Sequence, residues 1–282
     1  MSAPSKAVLV TGCSTGIGRA TAQRLAAAGH TVYASARRPE SIADLEGHGC
    51  RLLALDVTDE ASMRSAVDTV VAEQGAVGVL VNNAGYSQSG ALETLDMDDV
   101  RRQFETNVFG LLRMCQLALP GMRDQGWGRI VNMSSMGANF VFPGGGVYHA
   151  TKYAVDAMSD ALRFEVAGFG VDVVIVQPGL ITTEFGTTAA ASTPAQAGGA
   201  YGDFNSAVAT ATKEAYEGPL ARLGAGPDAV AKVVERAITA RRPRTRYRVT
   251  PSAKILLNVR RVMTDRAWDR AVRGQFPQPG PS

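Results

Sequence analysis

Tyr148 and Lys152 stand four residues apart, in the order Tyr-His-Ala-Thr-Lys. On a helix this spacing places both side chains on one face. A tyrosine phenol ordinarily has a pKa of about 10, and a neighbouring ammonium favours the phenolate and lowers that pKa. The pair therefore predicts a proton-transfer centre, although a tyrosine and a lysine at this spacing also occur as solvated pairs on exposed helices.

A glycine-rich turn follows the first apolar run of the chain and reads Thr-Gly-Cys-Ser-Thr-Gly-Ile-Gly over residues 11–18. Glycines let a ligand approach the backbone closely, and the free N–H groups and dipole of a following helix attract negative charge. The turn predicts a pyrophosphate site, with a tight turn that binds nothing as the alternative.

The elements that position these residues alternate along the chain. Short apolar runs that predict buried parallel strands are Ala7–Val10, Thr31–Ala34, Leu52–Leu55, Val77–Val81, Arg129–Asn132 and Val171–Val176. Stretches with helical spacing separate them. The alternation predicts a doubly wound α/β fold, a parallel sheet with helices on both faces whose ligands bind at the carboxyl ends of the strands.

Further motifs follow the glycine-rich turn in a fixed order. They are Asp56-Val57 after the third strand, Asn82-Asn83-Ala84-Gly85 after the fourth, Ser135 thirteen residues before Tyr148, and Pro178-Gly179 after the sixth, with Thr183 five positions beyond Pro178. Together with TGxxxGxG and YxxxK, this order resembles the short-chain dehydrogenase/reductase family from about Ala7 to Phe185. The text at residues 105–110 is most similar to the branch with 17β-hydroxysteroid and retinol dehydrogenases.

The resemblance implies a Rossmann-type, mostly parallel seven-stranded sheet and a catalytic tetrad. Tyr148 would exchange a proton with the substrate oxygen, and Lys152 would also hold the nicotinamide ribose. Ser135 would donate to the carbonyl oxygen, and Asn107 would hold a water that links Lys152 to solvent. Ser135 as a strand end and Asn107 as an ordinary helix residue are the alternatives. No metal is expected.

The same resemblance implies a set of cofactor-binding residues. They are Gly12, Ser14, Thr15, Gly16, Ile17, Gly18, Arg37, Asp56, Val57, Asn83, Ala84, Gly85, Tyr148, Lys152, Pro178, Gly179, Ile181 and Thr183. Asp56 is expected to accept from the adenine amino group or to cap a helix. Ile181 and Thr183 are expected to contact the nicotinamide carboxamide.

Arg37 decides the expected cofactor. An NAD site places a carboxylate at the end of the second strand, whereas a 2′-phosphate needs a cation. Ala36 stands where the family's acidic residue usually falls, and Arg37 follows it. NADP(H) is therefore favoured over NAD(H), although a solvated arginine pair is the alternative. Thr15 counts against this prediction, because some NADP-preferring relatives carry a basic residue there.

Composition limits the class of protein. The chain has 282 residues, 45% of them hydrophobic and 20% charged, with a net charge of +3, which is typical of a folded globular protein and excludes disorder for most of its length. We expect one domain over residues 1–282. The first apolar run is too short for a signal peptide, no later run is long enough to span a membrane, and the three cysteines form no paired motif, so a cytoplasmic protein is expected.

Two segments depart from the alternation. Residues 183–226 are rich in Ala, Gly, Thr and Ser and contain Pro194 and Pro219, which predicts a mobile substrate lid. Residues 241–282 form a basic extension, with eleven Lys or Arg and two Asp up to residue 273. Its helical part is expected to dock on its own domain. Three alternatives remain open: this part caps the pocket, makes weak contact with a membrane surface, or docks on a second subunit. Residues 275–282 are expected to fray, and no nucleic-acid partner is expected.

The expected substrate pocket is apolar. Its predicted walls are Met136–Phe142, the Gly144-Gly145-Gly146 turn and the lid from Glu184, with aromatic side chains from Phe140, Phe142, Phe185, Tyr201 and Phe204. Such walls favour a lipophilic ketone or secondary alcohol, although the aromatic residues also suit simple packing of the lid. His149 and Thr151 are expected to have no catalytic role, and Thr151 to point away from the Tyr148 face.

The sequence thus predicts an NADP(H)-dependent oxidoreductase that moves a hydride between nicotinamide and a ketone or secondary alcohol, such as a steroid, retinoid or acyl-like compound. The alternatives are an NAD(H)-dependent alcohol dehydrogenase, a lyase or epimerase of the same fold, and a non-catalytic NADP-binding regulator. A homodimer or homotetramer is expected through the helices around Val100–Met122 and Tyr148–Ala167.

Overall fold

Seven parallel strands form one sheet in the computed structural model, which describes residues 3–193 and 199–279. The strands are β1 Val8–Val10, β2 Val32–Ala36, β3 Cys50–Ala54, β4 Val79–Asn82, β5 Gly128–Met133, β6 Val171–Gln177 and β7 Arg246–Arg248. Their order is β3-β2-β1-β4-β5-β6-β7, and every neighbouring pair is parallel. The predicted parallel α/β sheet is confirmed.

Ten α-helices accompany the sheet in the described part of the chain. They are α1 Gly16–Ala27, α2 Glu60–Gln74, α3 Met97–Phe104, α4 Gly110–Asp124, α5 Gly146–Val166, α6 Glu184–Ala191, α7 Gly202–Glu217, α8 Pro227–Thr239, α9 Pro251–Val262 and α10 Asp265–Arg273. None of these helices is long and apolar enough to cross a membrane.

The two faces of the sheet carry separate cores. On one face, α1 and α8 pack together, and Leu25 and Val234 are fully buried against strand residues such as Val10. On the other face, α2, α4 and α5 contribute buried residues such as Met114 and Val155. Because both faces are covered, β1, β4 and β5 are buried along their whole length, and β1 and most of β4 read as continuous apolar runs in the sequence.

The segment predicted as a loop-like lid is largely helical. It contains α6, α7 and a 3₁₀ turn at Pro219–Leu223, and Thr183 caps α6 by accepting from the amide of Phe185. Alanine favours helices, so the Ala-rich composition is compatible with these helices even though its apolar periodicity is weak. Residues 194–198, which include Pro194, lie outside the described residues.

The basic extension packs on the same fold. Its first part supplies β7, which pairs with β6 at the edge of the sheet. Thr250 caps α9 by accepting from the amide of Ala253, and the first turn of α9 is buried against Gly179. Of the segment predicted to fray, the amides of Gln275 and Phe276 still donate to Val272, and residues 280–282 lie outside the described residues.

Candidate active site

A cavity of about 1470 Å³ lies at the carboxyl ends of the strands. Every residue predicted to bind the cofactor lines this cavity except Gly18. Ser135, Tyr148 and Lys152 line it as well, whereas Asn107 lies behind its wall. The fold therefore brings the motifs between residues 12 and 183 to one place.

Tyr148 and Lys152 lie side by side on α5. The Lys152 Nζ is 5.7 Å from the centroid of the Tyr148 ring and donates to the Met133 carbonyl oxygen at 3.0 Å. The ring of Phe185, from α6, lies 5.4 Å from the Tyr148 ring. Ser135 follows β5, and its Oγ accepts from the amide of Gly137 at 3.0 Å.

Burial shifts the pKa values of Tyr148 and Lys152. It raises the pKa of Tyr148 to about 12, and the hydrogen bond with Ser135 opposes that rise. It lowers the pKa of Lys152 to about 8, and the Asp156 carboxylate opposes that fall. The pKa of the phenol therefore lies above its ordinary value rather than below it, because burial of the phenolate is costly.

Asn107 is held by hydrogen bonds within the protein. It lies in a π-turn, Glu105–Phe109, between α3 and α4. Its Oδ1 accepts from the amide of Tyr86 at 3.0 Å, and its Nδ2 donates to the Tyr86 carbonyl oxygen at 2.9 Å and to Thr151 Oγ1 at 3.1 Å. Thr151 in turn donates to the Tyr148 carbonyl oxygen at 2.7 Å. Thr151 thus links Asn107 to the helix that carries Tyr148, a contact that sequence reasoning missed.

The glycine-rich turn is closed by Asn83. Gly12 and Gly16 have φ values of 73° and 58°, which favour glycine. The Asn83 Nδ2 donates to the carbonyl oxygens of Thr11 and Gly12, both at 3.0 Å. A Cβ on Gly18 would lie 2.3 Å from the Gly12 oxygen, so Gly18 allows α1 to pack behind the turn.

The turn and its surroundings fit a dinucleotide. No acidic residue lies in the first turn of α1, and the Thr15 side chain does not cap it. Its first amides are therefore available to a phosphate. Arg37 is exposed at the rim of the same cavity, directly after β2.

Asp56 lies farther along this rim. Its Oδ1 accepts from the amide of Thr58 at 2.9 Å and from the Thr58 hydroxyl at 2.7 Å. The helix cap of α2 is Asp59, so the alternative role of Asp56 as a helix cap is wrong.

His149 fixes one wall of the substrate region. Its Nε2 accepts from the amide of Phe142 at 3.2 Å, so the ring is neutral and its Nδ1 donates to the Gly137 carbonyl oxygen at 2.8 Å. Burial lowers the pKa of His149, which favours this neutral form. His149 therefore stabilises the loop between Gly137 and Phe142, a role that no local pattern indicates.

The predicted substrate walls are only partly correct. Gly146, Tyr201 and Phe204 do not line the cavity. The Tyr201 hydroxyl donates to Glu93, and Phe204 lines a separate pocket with residues 277–279. Both aromatic residues lie at the start of α7, whereas the cavity is lined by its later part from Val208 to Tyr216.

Several cavity residues come from parts of the chain that the motifs do not reach. Among them are Tyr216, Ile255, Leu256, Val259, Met263, Trp268, Val272 and Phe276. The Trp268 Nε1 donates to the Val141 carbonyl oxygen at 3.2 Å, and its ring lies 5.6 Å from that of Phe140. Tyr216 packs over Gly186, and burial raises the pKa of its phenol. Tyr216 belongs to the predicted lid, and the lining by α9 and α10 fits the alternative that the basic extension caps the pocket. The individual side chains could not be named from the sequence, because only tertiary packing brings them to the site.

The parallel sheet, the glycine-rich turn at the cavity and the Tyr148–Lys152 pair on α5 together form the arrangement of a dinucleotide-dependent oxidoreductase. The chain belongs to the short-chain dehydrogenase family, whose model, described as short chain dehydrogenase, matches residues 6–193.

Similar proteins agree with this assignment. The chain is 44% identical over 179 residues to a 3-ketodihydrosphingosine reductase of Bacteroides thetaiotaomicron, a match that spans 63% of this chain and 65% of that protein. The structure of a short-chain dehydrogenase from Streptomyces avermitilis superposes with a TM-score of 0.77 at 33% identity, covering 96% and 98% of the two chains. A serine dehydrogenase complexed with NADP⁺ gives a TM-score of 0.75 at 28% identity, covering 87% and 94%.

Proposed function

We propose that the protein is an NADPH-dependent reductase of lipophilic ketones. The observation that carries this proposal is the arrangement of Tyr148 beside Lys152 on α5, in the same cavity as Ser135 and the glycine-rich turn. Burial raises the pKa of Tyr148 to about 12, which favours the protonated phenol. During reduction of a ketone, negative charge develops on the carbonyl oxygen. A protonated phenol beside the Ser135 hydroxyl can act as the general acid that protonates this oxygen.

The roles of the residues follow from their positions. When bound, the nicotinamide supplies the hydride that the carbonyl carbon receives. Tyr148 gives its proton to the carbonyl oxygen, and Ser135 donates a hydrogen bond to the same oxygen. Lys152, as an ammonium, stabilises the phenolate that Tyr148 becomes. Asn107 and Thr151 act as positioning residues, because their hydrogen bonds join the π-turn to α5.

Arg37 supports NADP(H) as the cofactor. Its exposed guanidinium stands at the cavity rim at the end of β2, where a carboxylate would repel a 2′-phosphate. The serine dehydrogenase similar to this chain is complexed with NADP⁺, which agrees with the same preference. We also expect the turn over residues 12–18 to contact the pyrophosphate of the cofactor. Ile181 and Thr183 are expected to contact its nicotinamide end.

The walls of the cavity support a lipophilic ketone. Aromatic rings of Phe140, Phe142 and Trp268 lie within 5.8 Å of one another, centroid to centroid, and apolar side chains of α9 continue the wall. The relative from Bacteroides thetaiotaomicron is named as the reductase of a ketone, and we infer the same reaction class here. Cys13, Cys50 and Cys115 are free and buried, which suits the reducing cytoplasm in which we place the protein.

The first test is a fluorescence titration with NADPH and with NADH. We expect tighter binding of NADPH, and a loss of that binding by more than about tenfold in R37E because a carboxylate repels the 2′-phosphate. R38E is the matched control, since Arg38 is also exposed but does not line the cavity. Tighter binding of NADH by the wild-type protein would contradict the cofactor assignment.

The second test is a set of ketones of increasing chain length, reduced with NADPH and followed by nicotinamide absorbance. We expect the specificity constant to rise with apolar chain length, by up to about fourfold for each buried methylene. Equal rates for short and long ketones would contradict the substrate class. Binding of NADPH without reduction of any ketone would favour the non-catalytic regulator instead.

A further inference from the structure

An apolar stripe on α9 runs from the cavity wall to solvent. Leu256 and Met263 line the cavity, and Ile255 and Val259 line it while being 49% and 40% exposed. Val262 is 83% exposed. With 3.6 residues per turn, these five side chains occupy one continuous side of the helix. The cavity therefore reaches the surface between exposed apolar side chains.

Exposed basic side chains lie on α10 and on α9, the helix that carries this apolar stripe. Arg266, Arg270 and Arg273 are exposed on α10 at a spacing that places them on one face, away from Trp268, which lines the cavity. Lys254 and Arg261 are exposed on α9. Within residues 3–193 and 199–279, the ion pair found on these two helices joins Arg260 to Asp265, so these five cations have no acidic partner there.

We propose that α9 and α10 form a docking surface for an anionic phospholipid bilayer, against which the mouth of the cavity opens. The basic side chains contact lipid headgroups, and the stripe formed by Ile255, Val259 and Val262 enters the interface beneath them. The lipophilic substrate then reaches the cavity from the bilayer, a consequence that rests on the proposed function, whereas the docking itself does not.

The charge of this surface decides against other occupants. A second copy of the chain would bring the same five cations together, and like charges at an interface are unfavourable. Nucleic acid would satisfy the cations but leave the apolar stripe without a partner. A bilayer with anionic headgroups matches both features, and α9 and α10, of 12 and 9 residues, are too short to span it.

The test is sedimentation of the full-length protein with phosphatidylcholine vesicles that contain or lack phosphatidylglycerol. We expect binding to the anionic vesicles alone at low salt, weakened as salt is raised. R266Q/R270Q/R273Q should lower the partition coefficient by more than about tenfold. V262Q should lower it by about threefold or more and leave binding salt-dependent, because it removes an apolar contact and no charge.

The matched control is R241Q/R242Q/R244Q. It removes three exposed arginines that precede β7, at the amino ends of the strands, whereas the cavity lies at their carboxyl ends. Circular dichroism should show that each variant is folded, and reduction of a short, water-soluble ketone should be unchanged in the α10 variant. No sedimentation of the wild type with anionic vesicles would overturn the proposal, as would equal loss in the control or arginine-dependent binding to duplex DNA alone.

One further variant separates this proposal from the proposed function. Y148F should lower the kcat for ketone reduction by about 10²–10⁴-fold and leave vesicle binding unchanged, because Tyr148 lies inside the cavity. Vesicle binding by a protein that reduces no ketone would uphold the docking surface and contradict the reductase. Ketone reduction by a protein that does not bind vesicles would uphold the reductase and contradict the docking surface.

Discussion

Tyr148 provides the sharpest test at the scale of single residues. In Y148F the ring that packs beside Phe185 remains, and only the hydroxyl that transfers the proton is lost. We expect the kcat for ketone reduction to fall by about 10²–10⁴-fold, the range for loss of a positioned general acid. The affinity for NADPH should change by less than about threefold in a fluorescence titration. Substantial remaining reduction by Y148F would show that another group supplies the proton.

The pH dependence of reduction should report on Lys152. Burial lowers the pKa of this lysine to about 8, so its ammonium is lost as the pH rises through that value while Tyr148 is still protonated. We therefore expect kcat/KM for ketone reduction to fall above about pH 8. The apparent pKa belongs to the interacting pair rather than to the lysine alone.

Asp156 allows a test of the pH dependence of kcat/KM, because its removal should shift that dependence in a known direction. Its carboxylate raises the pKa of Lys152, and it accepts from Gln177 Nε2 at 2.7 Å. D156N should therefore move the falling limb to lower pH, since the ammonium loses a stabilising charge. D160N is the matched control, because Asp160 pairs with Arg246 and is not among the groups that shift the lysine pKa. An unshifted limb in D156N, or the same shift in D160N, would contradict this role.

The sequence predicted those site residues that lie in continuous motifs. Tyr148 and Lys152 share a helix, and Asn83 follows a buried strand, so local spacing was enough to place them. His149 and Thr151 lie inside the same motif, but their roles depend on partners 12 and 44 residues away, Gly137 and Asn107. Spacing along one helix carries no information about such partners.

At the level of secondary-structure elements, the turn between β1 and α1 requires a residue without a side chain at Gly18, and this requirement can be tested. A Cβ on Gly18 would lie 2.4 Å from Asn83 Nδ2, as well as against the Gly12 oxygen. G18A should therefore lower the free energy of unfolding by about 1–3 kcal/mol and weaken NADPH binding, because the turn must shift.

A control for this variant lies in the 3₁₀ segment Pro39–His48. A Cβ on Gly47 would meet nothing within 4 Å, and no positive φ is found there. G47A should leave NADPH binding unchanged and keep or slightly raise the free energy of unfolding, by up to about 1 kcal/mol. Urea denaturation measures the free energy of unfolding of the two variants, and the fluorescence titration measures their affinity for NADPH. Equal behaviour of the two variants would contradict the packing argument.

The elements that the sequence did not predict have weak local signals. β7 reads Arg-Tyr-Arg and lies at the edge of the sheet, so it lacks the apolar run that marks β1 or β4. Helices α6 and α7 are rich in Ala and Thr and show no strong apolar periodicity. Their positions depend on packing over the cavity, which no local pattern encodes.

For the whole molecule, the cavity joins two parts of the chain. Residues 6–193, which match the family model, supply the glycine-rich turn and the catalytic side chains. Much of the remaining wall comes from α7, α9 and α10, beyond that match. The reaction class can therefore be inferred from the family, whereas the shape of the substrate depends on helices particular to this part of the chain.

Exposed aromatic residues predict a homo-oligomer. Phe164 on α5 is 89% exposed, and Phe109 in the neighbouring π-turn is 51% exposed. Phe164 lies sixteen residues after Tyr148, which at 3.6 residues per turn points it away from the cavity. Burying such a side chain contributes about 1.5–3 kcal/mol, and a symmetric interface buries each one twice.

We therefore expect light scattering to give at least twice the 29.6 kDa mass of the chain. F164D should shift the protein towards the monomer, because it places a carboxylate where the predicted interface would bury the Phe164 ring. V71D is the matched control, since Val71 is an exposed apolar residue on α2. A monomeric wild type would contradict the prediction, and dissociation by V71D alone would move the interface to α2. NADPH binding by F164D should be retained, because the cavity lies on the other side of α5.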